Sequence, residues 1–241
     1  MTARDVPVYA YESIDSTNTE CARRLLSEGG MFVVTACTQT AGRGRQGHSF
    51  FSPPGAGLYM SLAMPEPAHG ADGLTEYAAV CVCRAVRELF GISCGIKWVN
   101  DVYYRGKKVC GILCERVPMR GGGVGVIIGV GVNLMSSAEP PDLRYIAGSL
   151  GLGEPAAEPL RKKITSLLLC FDARDREFMD EYRALDILRG RRVSYEKNGR
   201  RREGCVAFID ECGRLAVRLP DGGLDLLDSG EVRLEEIEGI R

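Results

Sequence analysis

The chain has 241 residues, of which 45% are hydrophobic, and its formal charge is −1 at neutral pH. That length favours one main domain with a smaller second one, and a charge near zero does not supply the basic surface that holds nucleic acid. Residues 1–7 lack the apolar run of a signal peptide, and the apolar part of the uncharged segment 121–138 has only the length of a strand. We therefore expect a cytoplasmic protein with no membrane segment and no specific nucleic-acid partner.

The chain contains ten cysteines, which are scattered through apolar segments such as 78–83. There is no Cys-x-x-Cys pair, and only His48 and His69 could supply imidazole ligands, so the composition does not favour a structural zinc site. Buried, reduced thiols are the simpler interpretation.

Hydrophobic periodicity predicts alternating helices and strands over the first three quarters of the chain. Ser16 or Thr17 is suited to cap a helix at 18–28, which Gly29 and Gly30 would end. The other predicted elements are strands at 31–37 and 57–64, a helix at 74–90, a hairpin that turns at Arg105–Gly106 and continues into 111–114, a central strand at 124–132, and a helix at 159–188.

The segment Gly42-Arg43-Gly44-Arg45-Gln46-Gly47 has the G-x-G-x-x-G spacing of a dinucleotide fingerprint. A strand precedes it, but two prolines at 53–54 argue against the helix that must follow such a fingerprint. Two arginines in a glycine-rich loop instead favour a mobile loop that closes over carboxylate and phosphate. The alternative is an ordinary glycine-rich surface loop.

Beyond residue 190, short alternating segments are separated by Asn198-Gly199, 211–213 and 221–223, which predict hairpins and a small β-barrel. The same region carries a basic cluster, which we interpret as a solvated hairpin face rather than a nucleic-acid patch because only Tyr195 could stack on a base. The cluster consists of Arg189, Arg191, Arg192, Lys197, Arg200, Arg201 and Arg202.

Four segments complete a recognisable pattern: DSTN at 15–18, KWVND at 97–101, KKVCGILCE at 107–115 and IGVGVN at 128–133. In order and spacing they resemble the biotin protein ligases, as does the Gly-Arg loop at 42–47. The resemblance is strong over residues 15–133 and weak beyond 190. It implies an α+β fold: a mixed β-sheet catalytic domain flanked by helices, similar to class II synthetases, at 1–188, and a small C-terminal β-barrel at 189–241.

The resemblance also implies an activity, namely the ATP-dependent joining of biotin to a lysine of a biotin carboxyl carrier protein through biotinyl-adenylate. The carrier would belong to acetyl-CoA carboxylase or a related biotin-dependent enzyme, biotin and ATP would be the substrates, and magnesium would assist. A homodimer is compatible with the resemblance. Two alternatives stay open: a non-catalytic sensor of biotin or biotinyl-adenylate, and a lipoate or octanoate ligase of related fold.

Attack of a carboxylate on the α-phosphate of ATP brings two anions together, so cations are needed between them. By resemblance Lys108, Arg43 and Arg45 are the catalytic cations. The implied biotin-binding residues are Ser16, Thr17, Asn18, Gln39, Arg43, Gly44, Arg45, Lys108, Gly111 and Gly129. The implied ATP-binding residues are Arg43, Arg45, Phe50, Asn100, Asp101, Gly131 and Asn133, of which Asn100 and Asp101 would also lie near magnesium.

Strand alternation separates the two adjacent lysines, because neighbouring side chains in a strand point to opposite faces. The family pattern selects Lys108 for the site, where alternation would place it on one face with Cys110 and Ile112. Lys107 is then expected to face solvent.

Some positions depart from the family pattern. Phe50 stands where family members often have tryptophan, Val99 where they usually have proline, and Glu235 where a C-terminal segment has arginine, so no role is assigned to Arg233. Because the DSTN segment begins by residue 16, we expect no N-terminal helix-turn-helix domain.

Overall fold

The computed structural model describes residues 6–137, 140, 146–230 and 232–234. Seven strands of the first part of the chain form one mixed sheet in the order β1-β2-β3-β7-β6-β5-β4, with only the β1–β2 pair parallel. The strands are β1 (Val8–Ile14), β2 (Phe32–Gln39), β3 (Gly57–Pro65), β4 (Gly95–Lys97), β5 (Asp101–Tyr104), β6 (Lys107–Pro118) and β7 (Val124–Asn133).

Helices cover both faces of this sheet because neighbouring residues of its strands face opposite sides. In β2, Val34 packs with Cys21 and Leu25 of α1 (Thr17–Ser27), whereas Val33 belongs to the larger core on the other face. That core includes the apolar stripes of α2 (Leu74–Phe90), α3 (Ala157–Leu168) and α4 (Phe178–Ala184). The predicted mixed sheet flanked by helices is confirmed.

Helix α1 begins and ends close to the predicted positions. Gly29 and Gly30 both have positive φ, at 72° and 85°, which a residue with a side chain rarely adopts, so the helix ends before them as predicted. Ser16 is the N-cap residue, but its side chain makes no capping hydrogen bond. The predicted capping role of this hydroxyl is therefore wrong, and no such bond is present at the start of α1.

The single helix predicted at 159–188 is two helices, α3 and α4, which are separated by residues 169–177. Asp172 Oδ1 accepts a hydrogen bond from Arg174 N, and Asp175 Oδ1 accepts one from Glu177 N. These local bonds compete with the helical hydrogen bonds of the backbone, which explains the break without a proline or glycine.

The remaining strands form an antiparallel sheet in the order β11-β10-β9-β8-β12. They are β8 (Arg192–Lys197), β9 (Arg200–Ile209), β10 (Leu215–Arg218), β11 (Leu224–Leu227) and β12 (Val232–Leu234). The hairpins predicted around Asn198-Gly199, 211–213 and 221–223 all form. A small C-terminal sheet is thus confirmed, but within the described residues β11 and β12 do not pair, so the barrel is not closed there.

The two sheets share one continuous hydrophobic core, which includes Val193, Val206 and Leu215 of the second sheet. Buried Trp98 joins them directly, because its Nε1 donates a hydrogen bond to Gly213 O at 2.8 Å. In the described part of the chain, no helix has the length and apolar character needed to cross a bilayer.

All ten cysteines are free, and the expectation that they are buried holds for five of them. Cys37 and Cys114 are half-buried, and Cys170, Cys205 and Cys212 are exposed, which corrects that expectation at five positions.

Candidate active site

A cavity of about 710 Å³ lies over the middle of the first sheet, between the loop that follows β2 and strand β12 of the second sheet. Its walls come from the start of α1, the loop, strands β3, β5, β6 and β7, and strand β12. Every residue that the sequence analysis assigned to the site lines this cavity: Ser16, Thr17, Asn18, Gln39, Arg43, Gly44, Arg45, Phe50, Asn100, Asp101, Lys108, Gly111, Gly129, Gly131 and Asn133.

The Gly-Arg loop forms a narrow hairpin over the cavity. Gly44 N donates to His48 O at 2.7 Å, and Phe50 N donates to Gly42 O at 2.8 Å. At its tip, a single 3₁₀ turn spans Arg45–Gly47, and no α-helix follows before Leu74. The loop therefore lacks the helix N-terminus of a dinucleotide fingerprint, as the prolines predicted.

The two arginines of the loop have different partners. Arg43 forms a bidentate ion pair with Glu115, with Nη2–Oε1 and Nη1–Oε2 distances of 2.9 and 3.3 Å. Arg45 makes one longer contact, from Nη1 to Asn100 Oδ1 at 3.2 Å. Both guanidinium groups are thus at the cavity, but Arg43 is held by a carboxylate of the protein itself.

Lys108 reaches the cavity through a β-bulge. Tyr103 pairs with Lys108 and Val102 pairs with Cys110, so Val109 is an extra residue on β6. The bulge shifts the alternation, and the Lys108 side chain lies on the face of Gly111, with Cε 3.3 Å from the place of a Cβ on that glycine. The prediction that Lys108 shares a face with Cys110 and Ile112 is therefore wrong, because both of these pack in the opposite core.

The ammonium of Lys108 lies 2.6 Å from Asp101 Oδ1, and the two side chains are partly buried. Asp101 Oδ1 is shielded from solvent and has no well-aligned hydrogen-bond donor, so the ion pair is its polar contact. Lys107, by contrast, is exposed, as alternation predicted.

Neutral polar groups surround the other end of the cavity. Gln39 Oε1 accepts hydrogen bonds from Thr17 N at 2.9 Å and from Thr17 Oγ1 at 3.2 Å, and Gln39 Nε2 donates to Ser52 Oγ. Ser61 Oγ lies 2.7 Å from Thr17 Oγ1 and 2.6 Å from Asn18 Oδ1. This buried network is suited to an uncharged polar ligand group, because its members are already fixed in position.

Three glycines provide the cavity with a floor on which other side chains lie. Gly111 and Gly131 face each other across β6 and β7, and the Phe50 ring lies over both of them. A Cβ on Gly131 would be 2.5 Å from Phe50 Cε1, and one on Gly129 would be 2.1 Å from Asn18 Oδ1. Only glycine therefore permits these close approaches.

Asn100, Asp101 and Asn133 hold polar atoms near the charged end of the cavity. Asn133 Nδ2 donates to Gly148 O at 3.0 Å, and Asn100 Nδ2 donates to Ile112 O at 2.8 Å. Among the described residues there is no cluster of three metal-ligating side chains. Arg45 contacts Asn100 Oδ1 and Lys108 contacts Asp101 Oδ1, so a magnesium ion near these two oxygens would have to compete with two cations of the protein.

Burial raises the pKa of two phenols in the cavity wall. It raises the pKa of Tyr103 to about 12, with a smaller contribution from the charge of Asp101, and it also raises the pKa of Tyr59. At neutral pH both phenols are protonated, as an ordinary phenol with a pKa of about 10 also is, and each can donate a hydrogen bond.

Several residues of the site were not predicted from the sequence. Strand β12 contributes Val232, Arg233 and Leu234 to the cavity wall, although the sequence analysis assigned no role to Arg233. Ser61 of β3 and Glu115 of β6 each form a hydrogen bond with Asn18, a predicted site residue. The sequence signal for Ser61 was a polar residue inside the apolar run 57–65. Glu115 is the last residue of the segment KKVCGILCE at 107–115.

The sequence matches the Biotin/lipoate A/B protein ligase family over residues 10–133, just over half of the chain. It is 38% identical over 173 residues to "Bifunctional ligase/repressor BirA" of Bacillus subtilis, covering 69% of this chain and 52% of that protein. It is also 28% identical over 232 residues to "Biotin--[acetyl-CoA-carboxylase] ligase" of Mycobacterium tuberculosis, covering 90% of this chain and 85% of that one. The chain thus spans about half the length of the first of these relatives.

The fold is similar to that of the biotin protein ligase from Aquifex aeolicus in complex with biotin and ATP. The TM-score is 0.77 at 26% identity, and the alignment covers 96% of this chain and 99% of that one. Since the family match includes the Gly-Arg loop, the Lys108 hairpin and the glycine floor, it spans the elements that build most of the cavity. This chain belongs to the biotin/lipoate A/B protein ligase family.

Proposed function

We propose that this chain is an ATP-dependent biotin ligase that modifies a carrier protein. The observation that carries the proposal is the single cavity that brings four separate sequence segments together, with cations at one end and neutral polar groups at the other. The charged end suits a carboxylate and a triphosphate, and the neutral end suits the ureido ring of biotin. Relatives and structural neighbours whose names specify biotin ligation support the same assignment.

In the first step, a carboxylate oxygen of biotin attacks the α-phosphorus of ATP. The new P–O bond gives biotinyl-adenylate, and the bond to the leaving pyrophosphate breaks. Lys108 and Arg45 line the cavity where negative charge accumulates, so their task is to stabilise the transition state. A magnesium ion would enter with the nucleotide and would offset phosphate charge, and Asn100 and Asp101 are the residues that would lie near it.

In the second step, the neutral amine of a carrier lysine attacks the carbonyl carbon of the mixed anhydride. The C–N bond of the amide forms, the bond from the carbonyl carbon to the phosphate oxygen breaks, AMP leaves, and the amine nitrogen loses a proton to solvent. Since the mixed anhydride is sensitive to water, the loop at 42–50 has a second task, which is to cover it until the carrier arrives. No cysteine is needed as a nucleophile.

The division into residues 1–188 and 189–241 is part of the proposal. All strands of the first sheet end by Asn133, and those of the second begin at Arg192, which supports a boundary between them. The continuous core and the contribution of β12 to the cavity mean that the second unit takes part in the site.

The test is to mix the protein with ATP and one acid at a time and to measure pyrophosphate release. Biotin should give release, whereas lipoate and octanoate should not. A carrier domain added to the biotin reaction should then gain the mass of one biotin on a lysine. If only lipoate or octanoate gave pyrophosphate release, the chain would be a lipoate or octanoate ligase instead. If biotin bound without pyrophosphate release, the proposal would be overturned in favour of a sensor.

A further inference from the structure

We propose that Glu115 is a positioning residue that anchors the loop 42–50 and couples it to the start of α1. Glu115 lies on β6, opposite Ile127 of β7, and is not one of the residues that line the cavity. Its effect on a ligand must therefore pass through the residues that it holds.

The first of these is Arg43. Both carboxylate oxygens of Glu115 take part in the bidentate pair, which joins the loop to the sheet across 72 residues of sequence. Glu115 has a side-chain exposure of 23%, so its carboxylate is partly shielded from water and from salt.

The second is Asn18. Its Nδ2 donates both hydrogens to protein acceptors, one to Glu115 Oε2 at 2.8 Å and one to Leu113 O at 3.2 Å. Its Oδ1 lies 2.6 Å from Ser61 Oγ. The amide thus has no donor left for a ligand, and Glu115 helps to fix which way it points above Gly129.

These contacts give the two arginines of the loop different roles. Arg43 is an anchor because both of its Nη atoms donate to Glu115, whereas Arg45, with one longer contact to Asn100, is the arginine that can turn towards an anion. Because one carboxylate holds both Arg43 and Asn18, opening of the loop loosens the neutral end of the cavity as well.

Hydrogen exchange of the segment 42–50 in the ligand-free protein tests the anchor. Glu115→Gln keeps the size of the side chain and an acceptor for Asn18 but removes the ion pair, so exchange should become up to about fivefold faster, the upper range for such a pair. Arg43→Gln should have the same effect, and the double variant should exchange no faster than either single one. Exchange at the wild-type rate in Glu115→Gln, or additive effects in the double variant, would overturn the proposal.

Kinetics test the coupling, which rests on the proposed function. In Glu115→Gln the KM for biotin should rise about two- to fivefold with kcat unchanged, because the closed state is less populated before binding but is still reached at saturation. The matched control is Glu66→Gln, whose carboxylate is 22% exposed and pairs with Arg116 away from the cavity; it should leave both constants unchanged.

A lower kcat with the wild-type KM in Glu115→Gln would indicate loss of folded protein and would contradict the coupling. The exchange experiment uses no ligand. A wild-type protein that fails to release pyrophosphate would therefore contradict the proposed function but not the anchoring role of Glu115.

Discussion

Lys108 Nζ lies 2.6 Å from Asp101 Oδ1, so the ammonium that faces the cavity is held by a carboxylate from the other arm of the β5–β6 hairpin. The pair fixes the direction of a long, flexible side chain before any substrate binds. Because the charge that builds up during adenylation is anionic, this preorganised cation can stabilise it without a large rearrangement.

Replacing Lys108 with alanine should therefore slow pyrophosphate release on the order of 10²–10³-fold, by analogy with the loss of one donor to a developing anion. Biotin binding, measured by equilibrium dialysis, should change far less. Lys107→Ala is the control, since that exposed side chain points away from the cavity, and its release rate should be close to that of the wild type. Near-wild-type turnover of Lys108→Ala would remove this residue from the mechanism.

A methyl group on Gly131 should destabilise the protein by displacing Phe50. The added Cβ would lie 2.5 Å from the ring, so we expect Gly131→Ala to lower the free energy of unfolding by about 1–3 kcal/mol, measured in urea. In a background of Phe50→Ala, the same change should cost clearly less. Gly153→Ala is the control, because this glycine has a φ of −79° and no close neighbour beyond ordinary contact at 3.4 Å. Equal losses for Gly131→Ala in both backgrounds would contradict the contact.

Most elements of the first sheet could be predicted because each has a strong local pattern. The helix at Leu74–Phe90 and the turn at Arg105–Gly106 have the predicted bounds, since glycines mark the ends and apolar spacing marks the interior. The site residues were found for a different reason, which is that short segments with fixed spacing resemble a family. Their convergence in one cavity follows from the sheet order.

Other features depend on interactions that a sequence pattern does not display. The bulge at Val109 reverses the face of Lys108, and it is visible only in the pairing of β5 with β6. The break after α3 depends on side-chain bonds of Asp172 and Asp175. The place of β12 in the cavity wall depends on how the second sheet docks, through contacts such as Trp98 with Gly213.

Asp225 should make the second sheet sensitive to acid. The ammonium of Lys197, the phenol of Tyr195 and the guanidinium of Arg202 hold the pKa of its carboxyl at about 2, below the ordinary value of 3.8. A carboxyl whose pKa is lower in the folded protein than in the unfolded chain stabilises the fold at pH values above its unfolded pKa. The contribution of Asp225 to the free energy of unfolding is therefore complete above about pH 4 and is lost as the pH falls towards 2.

Asp225→Asn should thus cost at most about 2 kcal/mol at pH 7, and the difference from the wild type should shrink as the pH falls below 4. Urea titrations across this range measure it. Asp172→Asn is the control, because that carboxylate also has a pKa of about 2 beside Arg174 but lies at the surface, where water screens the pair. A difference between wild type and Asp225→Asn that stays constant down to pH 2 would contradict the assignment.

The loop at 42–50 should be protected from proteolysis when both substrates are bound. Arg43 and Arg45 are its only trypsin sites, and cleavage requires the hairpin to open. Substrates that bind the closed loop stabilise it by mass action, so biotin with ATP at saturating concentration should slow cleavage by about tenfold or more. The internal control is the exposed start of β9 at Arg200–Arg202, next to the turn at Asn198-Gly199, which lies outside the cavity and should be cut at the same rate in both states. Cleavage after Arg43 and Arg45 that is equally fast with and without substrates would mean that this loop does not close over them.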